Sequence, residues 1–139
     1  MSKPQELIFF VDRALGNKVV EALRETGVQV EAHRDHFTPD ALDIEWLPCV
    51  SQRGWVVLTK DVRLRYNPLE LQAIAQANAR VFILTAGNLP QQKTIDILVR
   101  SVQRLENFAI GNLPPIIAKL DQNGRILLWR SHSQLQRAR

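Results

Sequence analysis

The sequence predicts an α/β fold: one central parallel sheet with helices on both faces and a C-terminal β-hairpin. Three observations carry that expectation. The apolar runs at 7–11, 55–58 and 81–85 have the length and composition of strands buried on both faces. Between them lie stretches whose apolar residues recur at helical spacing, the alternation that builds parallel sheets through crossover helices. Near the end, residues 116–120 and 125–129 flank Asp121-Gln122-Asn123-Gly124, a turn signal between two strands.

Taken in order, residues 7–11 form the first strand. Gly16-Asn17 opens a helix whose Val19, Val20 and Leu23 share a face, and Gly27 stops it. Val28, Val30 and Ala32 alternate with polar residues, as in a strand exposed on one side. A polar loop, 33–38, leads to Pro39, expected in the first turn of the next helix with Thr38 as its cap. Pro48 conflicts with that start, because a proline beyond the first turn removes a backbone bond. Either the helix begins near Asp43 or it kinks at Leu47. The central strand follows in Gly54-Trp55-Val56-Val57-Leu58-Thr59-Lys60-Asp61. Asn67-Pro68-Leu69-Glu70 reads as a helix start, with Asn67 the cap, Pro68 at the first position and Glu70 closing the capping box. After the strand at 81–85, ended by Ala86-Gly87-Asn88, a long helix carries Ile95, Leu98, Val99, Val102 and Leu105 on one stripe. The expected division is one domain over 1–130 and a basic polar tail over 131–139.

Composition narrows the function classes. A chain of 139 residues buries a core without staples, and a single cysteine excludes a disulfide framework and a thiolate zinc site. No apolar run approaches the roughly 20 residues of a membrane span, and residues 1–6 do not lead from basic residues into a long apolar run. A soluble, cytoplasmic protein without a membrane partner is expected. The net charge of +4 leans toward polyanionic partners. The cations at Arg130, Arg137 and Arg139 fit a solvated tail better than a nucleic-acid arm.

The chemistry sits at the strand ends. Asp12 closes the first apolar run and Asp61 the central one, so both reach the carboxyl edge of the sheet, where open parallel sheets bind ligands. Two carboxylates there repel one another unless a cation neutralises them. The helix after the second strand starts at the same edge and offers Asp40, Asp43 and Glu45; Asp43 and Glu45, two apart, cannot both face one ion from a regular helix. Oxygen donors without His or Cys suit Mg²⁺ or Mn²⁺. Such sites orient phosphates and activate water for in-line attack on a phosphodiester. Arg13, Arg34, Lys60, Arg63 and Arg65 stand close enough in sequence to hold other phosphates.

Two blocks resemble a known family. Asp43-Ile44-Glu45-Trp46-Leu47 followed by Arg53-Gly54-Trp55-Val56-Val57-Leu58-Thr59-Lys60-Asp61 is similar to the signature of PIN-like domains related to VapC-type toxins, and Phe10-Val11-Asp12-Arg13 resembles their opening strand. The resemblance implies a single PIN-like domain and an Mg²⁺- or Mn²⁺-dependent endoribonuclease, the toxin of a type II toxin–antitoxin pair. It implies RNA as substrate and a small antitoxin as partner, with a homodimer as a further expectation. Asp12, Asp43 and Asp61 carry over as catalytic metal ligands. Thr59 and Glu45 are expected behind them, and Arg13, Lys60, Arg63 and Arg65 on the substrate. The chain departs from the pattern in one respect. Better-studied members carry a further acid soon after Thr-x-Asp, whereas 62–66 has none, and the next candidates, Asn67 and Glu70, include one already given to capping. That departure favours the alternative of a catalytically weakened RNA- or protein-binding module. A phosphoacceptor regulatory domain fits worse, since it calls for paired acids where Asp12 is followed by Arg13-Ala14-Leu15. Of the remaining residues, His33 and His36 are expected in solvent, Trp46, Trp55 and Trp129 in the core, and Cys49 as a small buried hydrophobe.

Overall fold

The computed structural model describes residues 7–85 and 88–137, except the side chain of Arg65. The described residues build a six-stranded sheet from β1 (Ile8–Val11), β2 (Gln29–Ala32), β3 (Val56–Thr59), β4 (Arg80–Leu84), β5 (Ile116–Leu120) and β6 (Ile126–Arg130), in the order β2-β1-β3-β4-β5-β6. The first five strands are parallel, and β6 returns antiparallel to β5 as the expected hairpin. Helices α1 (Asn17–Glu25), α2 (Asp43–Gln52), α3 (Pro68–Ala77), α4 (Gln91–Gly111) and α5 (His132–Gln136) cover it.

Side-chain alternation divides the core in two, because successive residues of a strand point to opposite faces. Phe9 and Val11 of β1, Val56 and Leu58 of β3 and Phe82 and Leu84 of β4 meet α1 and α4 on one face. Phe10, Val57, Val81 and Ile83 meet α2 and α3 on the other. The strand order reverses at β1: α1 leads outward to β2, and α2 crosses back to β3 over the opposite face. The carboxyl ends of β1 and β3 therefore flank the topological switch point, where a crevice is unavoidable.

Several expectations need correcting. Residues 39–42 are not helical. Pro39 occupies the second position of a tight turn closed by the Ala41 amide donating to the Thr38 carbonyl (3.1 Å), a position its fixed φ favours, and α2 begins at Asp43 with Pro48 inside it. On α4 the deepest residues are Ile97, Leu98, Ser101, Leu105 and Ala109, whereas Ile95, Val99 and Val102 are only partly buried. Ser101 hid that ridge from a reading based on apolar residues. It lies where the hairpin turn presses on the helix: a Cβ on Gly124 would stand 3.3 Å from its Oγ, and Gly124 itself holds φ +79°. Cys49 is exposed, because α2 turns Trp46, Leu47 and Val50 inward and leaves residue 49 off that face. His33 is 2% exposed, enclosed by Phe10, Phe37 and Trp46 at ring-centroid distances of 5.5–6.0 Å, with no hydrogen-bond partner on Nε2. Trp46 is fully buried, as expected, while Trp55 and Trp129 pack against the core only in part. Within the expected tail, His132–Gln136 folds as α5, with Leu135 buried in the second core. Ala86, Gly87 and Arg139 lie outside the described residues. No described helix is long and apolar enough to cross a membrane.

Candidate metal centre

A cavity of about 540 Å³ opens at the switch point and is lined by the carboxylates of Asp12, Asp40, Asp43, Asp61 and Glu70 together with Arg13, Lys60 and Arg63. A cavity of similar volume beside α4, with Lys93, Asp96 and Arg100, gathers no such set of acids. Volume does not single out the site; the convergence of charge does.

Each acid is placed by the element it leaves. The Asp12 amide donates to the Leu58 carbonyl (2.9 Å), extending the β1–β3 ladder by one residue and holding Asp12 beside the end of β3. The Thr59 hydroxyl, the last side chain of β3, donates to Asp12 Oδ2 (2.8 Å) and accepts from the Asp61 amide (3.1 Å). One hydroxyl thus ties two acid-bearing segments together. Asp61 caps the short 3₁₀ turn Val62–Arg65, with Oδ1 accepting from the Arg63 amide (3.0 Å). The Arg63 guanidinium closes on the same carboxylate, Nε to Oδ1 at 3.0 Å and Nη2 to Oδ2 at 2.9 Å. Asp43 is the first residue of α2, and its Oδ1 accepts from Trp46 Nε1 (2.9 Å), so the buried indole aims the carboxylate. Glu45 turns the other way: its Oε1 accepts from the Leu42 amide (2.8 Å), a helix-capping bond, and it does not line the cavity.

Glu70 departs most from expectation. Asn67 caps α3 alone, its Oδ1 accepting from the Leu69 and Glu70 amides, and the reciprocal bond from the Glu70 side chain is absent. The carboxylate instead joins Asp43 and Asp61, each of the three offering an oxygen within 4.8 Å of the others. Glu70 Oε2 is buried without a partner. Its position, nine residues past Asp61 in the first turn of a helix starting at the same edge, was the available signal; the capping pattern masked it.

The electrostatics follow from this crowding. Two unit charges at such a separation repel by on the order of 3 kcal/mol at an effective dielectric near 20. Burial, the close approach of Asp43 and the charges of Asp43 and Asp61 push the Glu70 carboxyl up to about 8, so this cluster of acids without a cation holds a proton that ordinary carboxylates shed. Burial likewise raises Asp12, against the Thr59 hydroxyl that lowers it, and the Asp43 charge adds to the rise. Asp61 is held below its usual range by the Arg63 guanidinium, against the effect of burial. Arg13 and Lys60 line the same cavity, and the Arg65 side chain lies outside the described residues.

The arrangement fits a hard divalent cation. It presents carboxylate oxygens from separate elements, keeps one of them buried and unpartnered, and stores a proton that a cation would displace. Thr59→Val tests the support beneath it. Removing the hydroxyl leaves a buried carboxylate one donor short, which should cost about 1–3 kcal/mol in denaturant unfolding at neutral pH. An unchanged midpoint would show that Thr59 does not hold Asp12.

A family model described as "PIN like domain" matches residues 7–86, more than half of the chain. A protein of Mycobacterium tuberculosis named "Putative ribonuclease VapC45" is 28% identical over 105 residues, covering 72% of this chain and 76% of that protein. No solved structure matches with comparable significance. The family match runs from β1 to just past β4 and takes in Asp12, Asp43, Asp61 and Glu70; on that span the chain belongs to the PIN-like domain family.

Proposed function

We propose that this protein is an Mg²⁺- or Mn²⁺-dependent endoribonuclease. The observation that carries the reading is the Asp43–Asp61–Glu70 cluster with its buried, unpartnered Glu70 oxygen, set in a cavity also lined by Arg13, Lys60 and Arg63. Asp43, Asp61 and Glu70 would hold the ion, with Asp12 as a fourth carboxylate whose charge reaches Asp43. When bound, such an ion polarises a phosphodiester and lowers the pKa of a water molecule.

The chain's own groups supply the rest. Thr59 fixes Asp12, and the Trp46 indole fixes Asp43, so the acids need little rearrangement. Arg13 and Lys60 offset the acids and would hold flanking phosphates. The named ribonuclease relative supports RNA as the substrate class. The resemblance to VapC-type toxins supports a toxin neutralised by a small antitoxin. The weakened-module alternative drew on the missing acid after Asp61, and Glu70 supplies a carboxylate for that gap.

The direct test is incubation of the purified protein with defined single-stranded RNAs in Mg²⁺, in Mn²⁺ and in chelator. Cleavage with either ion and none in chelator supports the proposal. Intact RNA under all three conditions, with binding retained, would favour the binding module.

A further inference from the structure

Arg63 occupies the carboxylate that the metal reading needs. Asp61 Oδ1 accepts from both the Arg63 amide and Nε, and Oδ2 accepts from Nη2. A carboxylate offers about four lone-pair directions, and three are taken. The bidentate fork also lies in the plane from which an ion would approach both oxygens. The two ends of the pair sit in different surroundings: the Arg63 side chain is 76% exposed and that of Asp61 only 17%. The guanidinium can therefore swing into solvent, while the carboxylate stays beside Asp43 and Glu70.

Resting on the metal reading above, we infer that Arg63 is a built-in competitor for the cation: it neutralises Asp61 while the site holds no metal, and releases it when Asp61 turns to an ion. Release leaves a free guanidinium on the rim of the acidic cavity, where an RNA phosphate would sit. Metal uptake and the final phosphate contact are thereby coupled through one side chain. The coupling works in both directions, because substrate that draws Arg63 away frees Asp61 for the ion.

Competition of this kind requires opposite changes in two affinities. Mn²⁺ affinity is measured by calorimetric titration, and RNA affinity with a cleavage-resistant 2′-O-methyl oligoribonucleotide in saturating Mn²⁺. Arg63→Ala should bind Mn²⁺ more tightly by up to about fivefold, the upper end of what an exposed ion pair contributes. It should also bind the oligonucleotide several-fold more weakly and with a shallower salt dependence. Arg63→Gln, which keeps the size but not the charge, should tighten Mn²⁺ binding in the same direction and guards against local collapse. Unchanged or weaker Mn²⁺ binding in both variants, with a wild type that binds the ion, overturns the competition and leaves the metal centre standing. A wild type that takes up no Mn²⁺ overturns both.

Discussion

Glu70→Gln should stabilise the metal-free protein at pH 8 and remove about half of the stabilisation that Mn²⁺ confers. In chelator, burial first and then the like charges of Asp43 and Asp61 push the Glu70 carboxyl from 4.5 up to about 8. Between those values the unfolded chain has released the proton while the folded protein still binds it. Its contribution to stability is therefore fully present below about pH 4.5 and is lost as pH rises toward 8. Glutamine is neutral throughout and should flatten that decline. Because Glu70 is only partly buried, the difference is on the order of 1 kcal/mol, or about 3–5 °C in Tm for a domain of this size. With Mn²⁺ the sign reverses. At a concentration of 100 times Kd the ion adds about 2.7 kcal/mol, and a tenfold loss of affinity in the variant halves that. Thermal unfolding of both proteins at pH 5 and pH 8, with chelator and with Mn²⁺, reads all four corners. Equal Mn²⁺ stabilisation of the two would remove Glu70 from the site.

Asp61→Asn and Asp43→Asn should each lower RNA cleavage by at least about a hundredfold, equivalent to roughly 2.7 kcal/mol of activation free energy, while leaving the fold intact. In either variant the amide oxygen keeps the local bond: at position 61 it can still accept from the Arg63 backbone, and at position 43 from the Trp46 indole. What each substitution removes is the negative charge. Glu45→Gln is the informative contrast, because Glu45 lies two residues from Asp43 yet bonds only to the helix start. Its cleavage rate should stay within about twofold of wild type and its stability fall by less than about 1 kcal/mol. Rates that fall equally on substitution at positions 43 and 45 would contradict the assignment.

The sequence was most legible where a local signal and the fold agreed. Buried strands that end in Asp12 and Asp61 place those residues at one edge in any parallel sheet, and Asn67-Pro68 marks a helix start whatever packs around it. The hairpin was legible because Asp121 and Gly124 specify a turn by their own chemistry, with Asp121 Oδ1 accepting from the Asn123 and Arg125 amides. Glu70 was not, because one residue type serves both capping and metal binding. Spacing cannot say which way its carboxylate turns; the packing of α3 beside α2, which brings Glu70 to Asp43, decides it. His33 was misjudged for a similar reason, since its polar sequence neighbours conceal an aromatic cage drawn from β1, α2 and the following loop. Leu135 lies in the stretch expected as a basic polar tail, and the packing of α5 beside α3 helps to bury it in the second core.

That Glu70 completes a divalent-cation site with Asp43 and Asp61 is tested most directly by a crystal structure of the protein grown with Mn²⁺, with anomalous data collected for manganese. The expected result is an anomalous peak about 2.1 Å from carboxylate oxygens of Asp43, Asp61 and Glu70, with at least one Arg63–Asp61 hydrogen bond broken. Fully occupied manganese elsewhere, with the Glu70 carboxyl group still packed against Asp43 and Arg63 still closed on Asp61, would contradict it.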